Sequence, residues 1–312
     1  MDLSVVIPTH NHCEFLRETL RRLGRQVMPA RVAWEVIVVN NGCTDATPAT
    51  VDAAAVSFPV PLRLVSEPKL GVSSARNKGI QESLGRVIAF VDDDTFPEHH
   101  WLQAVWQCFE KEHCDAVIGR IELHWRTKTP AWVNEDVFGF MGYLDYGASS
   151  RWIDNTDEPP NGGNMAFRRS VLIDLGGFNA SLGRIGRSLF GGEEPELFTR
   201  FLKKKFTAIY QPDAVVYHVV DAWRVRKSYF RKVHFNEGKV RGGQYNGSTS
   251  QWTAGIPLFI LPQLLRSIGS FAATVRRHGY DRSLRMEMNV WYFLGFIIGS
   301  LQLHKSQRSG LT

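Results

Sequence analysis

Leu3–Ile7 is a short, wholly apolar run that ends at Pro8, the pattern of a strand buried on both faces. Asn11 followed by Glu14 reads as a helix cap in front of Phe15, Leu16, Thr19, Leu20 and Leu23, which recur at helical spacing. Val36–Val39 reads as a second buried strand running straight into the Asn-Asn-Gly turn at 40–42. Leu62–Val65 is a third predicted strand and Val87–Val91 a fourth, with a helix around Ser73–Leu84 between them. Strands alternating with helices predict an α/β domain with a parallel sheet and helices on both faces. Ligand sites in such sheets lie beyond the carboxyl ends of the strands. That rule selects Pro8–Asn11, Asn40–Asp45 and Asp92–Asp94 before any motif is considered.

From Ile121 onward the pattern is less regular and richer in aromatics and glycines: Trp125, Trp132, Phe138, Phe140, Tyr143, Tyr146 and Trp152, then Gly162–Gly163. Such a stretch reads as a second half built around long functional loops. Beyond Trp252 apolar helix returns in two stretches, Ile256–Val275 and Val290–Leu303. The first has the length of a bilayer span, but Arg266 sits in its middle, at a cost of about 2.5–3.5 kcal/mol on insertion scales. The second is too short to span comfortably. Flanked by Arg276, Arg277, Arg282 and Arg285, the pair is expected to lie in an anionic membrane surface. The alternative is an ordinary helical hairpin packed on the rest of the chain.

Composition narrows the picture further. With 312 residues, 44% hydrophobic and 22% charged, the chain is globular rather than disordered. Its cysteines, Cys13, Cys43, Cys108 and Cys114, lack Cys-x-x-Cys spacing, so neither a disulfide framework nor a zinc site is expected. The N-terminus carries no basic leader and its apolar run is too short for a signal peptide, which predicts a cytoplasmic protein. The net charge of +6 is concentrated in clusters: Lys203–Lys205, then Arg224 to Arg241, then Arg276 to Arg285. Clusters of this kind serve phosphorylated ligands or anionic lipid, or simply form a solvated face. They coincide with no nucleic-acid motif, so no nucleic-acid partner is expected.

The strongest chemical signal is Asp92-Asp93-Asp94, directly after an apolar run. In an extended segment Asp92 and Asp94 point the same way. Three adjacent carboxylates are best tolerated where a hard cation or a network of donors offsets them. Mn²⁺ or Mg²⁺ held by one or two carboxylates and a substrate diphosphate fits that requirement. The plain alternative is an acidic cap on a helix starting at Thr95-Phe96-Pro97. Asn40 to Asp45 can read a base or ribose, or be only a turn. Ala75-Arg76-Asn77-Lys78-Gly79 places two cations near the same edge, unless it is a surface helix. Gly191-Gly192-Glu193-Glu194-Pro195 opens a helix, where the glutamates either act chemically or only face the dipole. His218, after an apolar run, is a satisfied core histidine or a metal ligand.

Taken in order, seven segments resemble family 2 glycosyltransferases of the GT-A fold, of the kind that builds bacterial polysaccharide and lipopolysaccharide. They are Val-Val-Ile-Pro-Thr-His-Asn, Val-Val-Asn-Asn-Gly-Cys-Thr-Asp, Gly-Val-Ser-Ser-Ala-Arg-Asn-Lys-Gly, Phe-Val-Asp-Asp-Asp, Gly-Gly-Asn-Met-Ala-Phe-Arg-Arg, Gly-Gly-Phe-Asn and Gly-Gly-Glu-Glu-Pro-Glu-Leu. The resemblance covers residues 2–220. It implies a Rossmann-like, mostly parallel sheet flanked by helices, with a catalytic domain over 1–220 and a helical extension over 221–312. Residues 1–120 would bind the nucleotide sugar and 121–220 the acceptor.

The resemblance also implies roles. Pro8, Thr9 and Asn11 match the loop that wraps the nucleotide. Asn40 stands where the family usually has an acidic residue reading the base, and Asp45 matches the second acid of that turn. Arg76 matches a nucleotide-side arginine, and Gly163 and Asn164 the loop near the transferred sugar. Of the aspartates, an early one, Asp92, would bind ribose and Asp94 the metal, with Asp93 able to share either task. Glu194 aligns with the general base, with Glu193 as its substitute, and His218 with a metal ligand of some relatives. The implied reaction is inverting transfer from a nucleotide diphosphate sugar, UDP favoured, to a saccharide or lipid-linked acceptor hydroxyl. A nucleotidyltransferase is the competing enzyme, but Pro8-Thr9-His10-Asn11 is not the glycine-rich basic loop it would need. A non-catalytic sugar-nucleotide-binding protein is the remaining alternative.

Overall fold

In a computed structural model that describes residues 1–184, 191–245, 252–253 and 255–309, the predicted alternation resolves into a continuous series. The series begins β1 (Leu3–Thr9), α1 (Cys13–Leu23), β2 (Trp34–Asn40), α2 (Thr47–Ala55), β3 (Leu62–Ser66), α3 (Val72–Glu82), β4 (Val87–Phe90), β5 (Thr95–Pro97) and α4 (Trp101–Lys111). It continues with β6 (Ala116–Trp125), α5 (Glu135–Phe138), β7 (Arg151–Ile153), β8 (Met165–Arg168), α6 (Arg169–Asp174), α7 (Glu193–Lys203), β9 (Ala208–Val220) and α8 (Lys227–Gly243). The chain closes with β10 (Trp252–Thr253), β11 (Ile256–Pro257), α9 (Ile260–His278) and α10 (Leu284–Ser309).

Among the described residues the main sheet runs β3-β2-β1-β4-β8-β6-β9-β5, with β7 added on β9. The N-terminal strands are parallel, β2 to β1 and β3, and β1 to β4. Beyond them the pairing turns antiparallel, β4 to β8, β8 to β6, and β9 to both β5 and β7. Every residue of β1 and β4 is buried, as a strand covered on both faces must be. Register matters for the site, because Thr9 pairs with Asn40 and so brings the carboxyl ends of β1 and β2 level. Thr95 of β5 pairs with His218 of β9, which draws the aspartate segment onto the antiparallel half.

Two expectations change here. Asn11 does not cap α1: that position falls to His12, which makes no side-chain cap bond. The first helical N–H, that of Cys13, is instead accepted by Asp45 Oδ2 at 2.9 Å. Thr95-Phe96-Pro97 starts no helix but forms β5, because its backbone is taken up by pairing with β9.

The chain divides into two compact units, Met1–His124 with Gly142–Val219, and Trp125–Met141 with the chain from Val220 onward. In the second unit α8 and α10 touch backbone to backbone. A Cβ added to Gly238 or Gly242 would lie 1.9 or 2.0 Å from the carbonyl oxygen of Tyr292 or Phe296. A Cβ on Gly295 or Gly299 would meet the carbonyl oxygens of Phe235 and Lys239 at 2.0 and 1.9 Å. No helix among the described residues is long and apolar enough to cross a membrane.

Candidate active site

All the site residues named from the sequence lie in the first unit. At the ends of β1 and β2 they form a clip rather than an open loop. Pro8 and Thr9 are the last, buried residues of β1, so the loop proper begins only at His10. Asn11 takes a left-handed conformation, φ 58°, and its Oδ1 accepts the N–H groups of Thr44 at 2.7 Å and Asp45 at 3.2 Å. Asp45 answers by accepting from Cys13 N–H and from both the N–H and hydroxyl of Thr47, at the starts of α1 and α2. Burial works to raise the Asp45 pKa, but the bonds from Thr47 and Cys13 outweigh it and hold the carboxyl at about 2. The Asn40 carboxamide accepts Cys43 N–H at 2.8 Å, which shapes the turn that follows.

The three aspartates leave β4 in a turn closed by Thr95 N–H donating to Asp92 O at 3.1 Å. That turn sends each carboxylate to a different partner. Asp92 meets Arg76 Nη2 at 3.2 Å, Asp93 meets His12 Nδ1 at 3.1 Å, and Asp94 Oδ2 lies 3.6 Å from His218 Nε2. Thr19 of α1 steadies the turn by donating its hydroxyl to the backbone oxygens of Asp93 and Thr95. Burial pushes Asp92 up to about 6, against the opposing pull of Arg76. Burial also raises Asp93, with the His12 bond acting the other way.

Arg76 is the centre of the cluster. It is 2% exposed, so the surface-helix reading of its segment does not hold. Its Nη1 lies 3.1 Å from Glu193 Oε1 and 3.0 Å from Glu194 Oε1, while Nη2 reaches Asp92. Burial disfavours the guanidinium charge, but Glu194, Asp92 and Glu193 outweigh it and raise the Arg76 pKa. Glu193 is pushed up to about 7, first by burial and then by the adjacent Glu194 charge. Both glutamates sit in the first turn of α7, after Gly192 at φ 107°. Gly162 N–H donates to Glu194 Oε1 at 3.2 Å, and a Cβ on Gly162 would fall 1.7 Å from Arg76 Nη2.

Gly163 lines the same spot, its missing Cβ facing Thr95 Oγ1 at 3.2 Å and Asp92 Oδ2 at 3.6 Å. Asn164 does not. Its side chain turns inward, accepting Trp101 Nε1–H at 2.8 Å and donating to the Arg120 and Ala214 carbonyls at 2.7 Å. At 1% exposure its side chain braces β6, β8 and β9. Sequence reasoning assigns no site role to His12, Thr19 or Gly162. Thr19 carries a signal as a polar residue on the apolar stripe of a helix, and Gly162 as the first residue of the Gly-Gly-Asn-Met segment; His12 carries none.

Residues 4–176 match the model of glycosyl transferase family 2. The chain belongs to this family. Among its family relatives, the succinoglycan biosynthesis protein ExoM of Rhizobium meliloti is 27% identical over 228 residues, 73% of this chain and 70% of that protein. Glycosyltransferase AglE of Haloferax volcanii is 28% identical over 176 residues, 56% of this chain and 55% of AglE. A mannosyltransferase from Pyrobaculum calidifontis, solved with GDP-Man and Mn²⁺, superposes with a TM-score of 0.63 at 18% identity, over 97% of this chain and 87% of that one. Residues 1–349 of S. aureus TarS, solved with UDP, give 0.54 at 17% identity, over 99% and 92%. The fold is therefore the GT-A fold, a mixed α/β sheet flanked by helices and followed by C-terminal helices, and the family 2 chain is a glycosyltransferase.

Proposed function

We propose that this glycosyltransferase moves a sugar, with inversion, from a nucleotide diphosphate sugar to an acceptor hydroxyl, and that Glu194 is the base. One observation carries the reading. Arg76 ties Glu194, on α7, to Asp92, at the end of β4, so one buried cation gathers acceptor-side and donor-side carboxylates. Glu194 is 17% exposed against 4% for Glu193, and a base must be reachable by the acceptor. In the reaction Glu194 takes the hydroxyl proton as that oxygen bonds to the anomeric carbon. The bond from sugar to phosphate breaks, and its electron pair leaves with the diphosphate. Glu193, buried and raised in pKa, supports its neighbour through their common contact with Arg76.

Asp94 and His218 are the residues that would hold Mn²⁺ or Mg²⁺. Their facing atoms are 3.6 Å apart, and Gly142, at φ 96°, leaves room for the imidazole where a Cβ would stand 2.9 Å from its Nδ1. Among the described residues no three His, Cys, Asp or Glu side chains converge to form a complete cage. Two protein donors fit an ion whose remaining positions are filled by substrate phosphates and water. Such an ion supplies charge neutralisation for the departing diphosphate.

UDP is the favoured nucleotide, with Thr9, Asn11, Asn40, Asp45, Asp92 and Asp93 on the donor side. TarS was solved with UDP, although the mannosyltransferase carries GDP-Man. The names of ExoM, a succinoglycan biosynthesis protein, and TarS, a poly(ribitol-phosphate) N-acetylglucosaminyltransferase, support a place in polysaccharide biosynthesis, and we extend this to a saccharide or lipid-linked acceptor at the cell surface. We assign catalysis to residues 1–220, and assign to 221–312 a peripheral attachment at the cytoplasmic face of the membrane. Release of nucleoside diphosphate from a panel of nucleotide sugars, with Mn²⁺, Mg²⁺ or chelator, tests the whole. No turnover of any donor by folded protein would overturn the transfer reading. Undiminished turnover in chelator would remove the metal from it.

A further inference from the structure

We propose that the outer face of α9 docks on an anionic lipid bilayer. The inference rests on the peripheral attachment proposed above and names the surface that makes it. Over its 19 residues α9 buries one side chain, Ile260. A helix of a globular protein ordinarily buries a continuous apolar stripe. Here the stripe faces outward: Leu261, Leu265 and Ile268 are 44%, 69% and 44% exposed. Their spacing of four and then three residues puts them on one side of the helix. Leu258 and Phe259, 49% and 42% exposed, extend the patch past the helix start. Elsewhere exposed large apolar residues such as Val56, Leu84 and Ile173 are scattered singly, which needs no explanation.

Charge selects the occupant. From Ile256 to His278 there is no Asp or Glu, while Arg266, Arg276 and Arg277 are exposed. None of these arginines forms an ion pair among the described residues. An apolar stripe flanked by uncompensated arginines matches an interface of acyl chains and anionic headgroups. A second copy docking through the same face would set arginine against arginine. Spanning is excluded for α9, which is not apolar enough to cross.

Co-sedimentation with vesicles of phosphatidylcholine alone, and of phosphatidylcholine with phosphatidylglycerol, tests this on the full chain. The parent should bind the phosphatidylglycerol vesicles and release at high salt. L265D/I268D should weaken binding at least about tenfold, since it places charge in the apolar stripe. R276E/R277E should lose roughly tenfold or more on anionic vesicles only. All these positions are exposed, and nucleoside diphosphate release from the donor serves as the check on folding. Absence of binding by catalytically active parent overturns the proposal, as does binding unchanged in both variants. A lipid-free dimer that L265D/I268D dissociates also overturns it, in favour of self-association. Lipid binding without donor turnover supports the docking face and strikes the transfer reading instead.

Discussion

Glu193 and Glu194 share one nitrogen: Arg76 Nη1 lies 3.1 Å from the first and 3.0 Å from the second. Without that cation, Glu193, Glu194 and Asp92 would face each other with no positive charge between them, Glu193 with its side chain only 4% exposed. Arg76→Ala should therefore destabilise the protein by about 3–5 kcal/mol, the usual cost of breaking a buried ion pair. Arg76→Lys keeps the charge but cannot bridge both sides as a planar fork does, and should fall between. Urea denaturation measures both, and an Arg76→Ala protein as stable as the parent would contradict the hub.

The glutamates should separate functionally. Glu194→Gln is expected to cut turnover by roughly 10²–10⁴-fold with little change in donor affinity. Glu193→Gln resembles the protonated form that burial favours and should retain most activity. Steady-state kinetics on both variants decides the matter. A dead Glu193→Gln beside an active Glu194→Gln would move the base by one residue.

Stability should also report the Glu193 proton. Its pKa is raised from 4.5 to about 7 in the folded protein, so the native state holds the proton more tightly than the unfolded chain. The associated stability is present below pH 4.5 and is lost as pH rises through about 7. Asp92, raised from 3.8 to about 6, acts in the same direction over a lower window. Glu193→Gln should flatten the upper part of that decline in chemical denaturation across the range. An identical profile in parent and variant would show that Glu193 is not the titrating group.

Gly162 offers a steric probe of the same cluster. An alanine Cβ there would stand 1.7 Å from Arg76 Nη2 and 2.5 Å from Glu194 Oε1, so the guanidinium must move. Displacement of about 1 Å near reacting groups can cost about 10²-fold in rate. Gly162→Ala should lose turnover on that scale while its circular dichroism stays unchanged. Full activity would mean the cluster can shift without consequence.

Asp45 tests the clip at the other end. Asp45→Ala leaves N–H groups at the starts of α1 and α2 without their acceptor, which should cost about 1–2 kcal/mol. Because its folded pKa is about 2 against 3.8, this stability is present above pH 3.8 and vanishes as pH falls through about 2. The parent and Asp45→Ala should thus converge in acid. Thermal melts at neutral and acid pH measure the gap, and a gap that persists in acid would point to packing instead.

How much of this was legible in the sequence depended on the range of the interaction. Buried strands announce themselves as short apolar runs, and β1, β2 and β4 fell where those runs lie. The candidate loops followed from strand ends alone. Arg76 was ambiguous because its glutamate partners stand 117 and 118 residues away, beyond the reach of any local pattern. The same holds for the start of α1, where Asn11 makes a plausible local cap but the Cys13 N–H goes to Asp45, 32 residues beyond Cys13. The resemblance places Asn164 in the loop near the transferred sugar, while the burial of its side chain between three strands leaves no trace in its neighbours' composition. The α8 segment read only as a basic cluster, since its apolar positions are few and glycine interrupts them.

Those glycines bear on how the chain is made. Gly238 and Tyr292 emerge 54 residues apart, so at translation rates of about 5–20 residues per second α8 waits about 3–11 s for α10. Each glycine also costs about 1 kcal/mol of helix propensity, so α8 is weak until its partner arrives. What it leaves open during that wait is the bare backbone at Gly238 and Gly242 beside the aromatic rings of Tyr229, Phe230 and Phe235. The backbone-to-backbone contact of this helix pair thus forms only after α10 has followed α8 out of the ribosome.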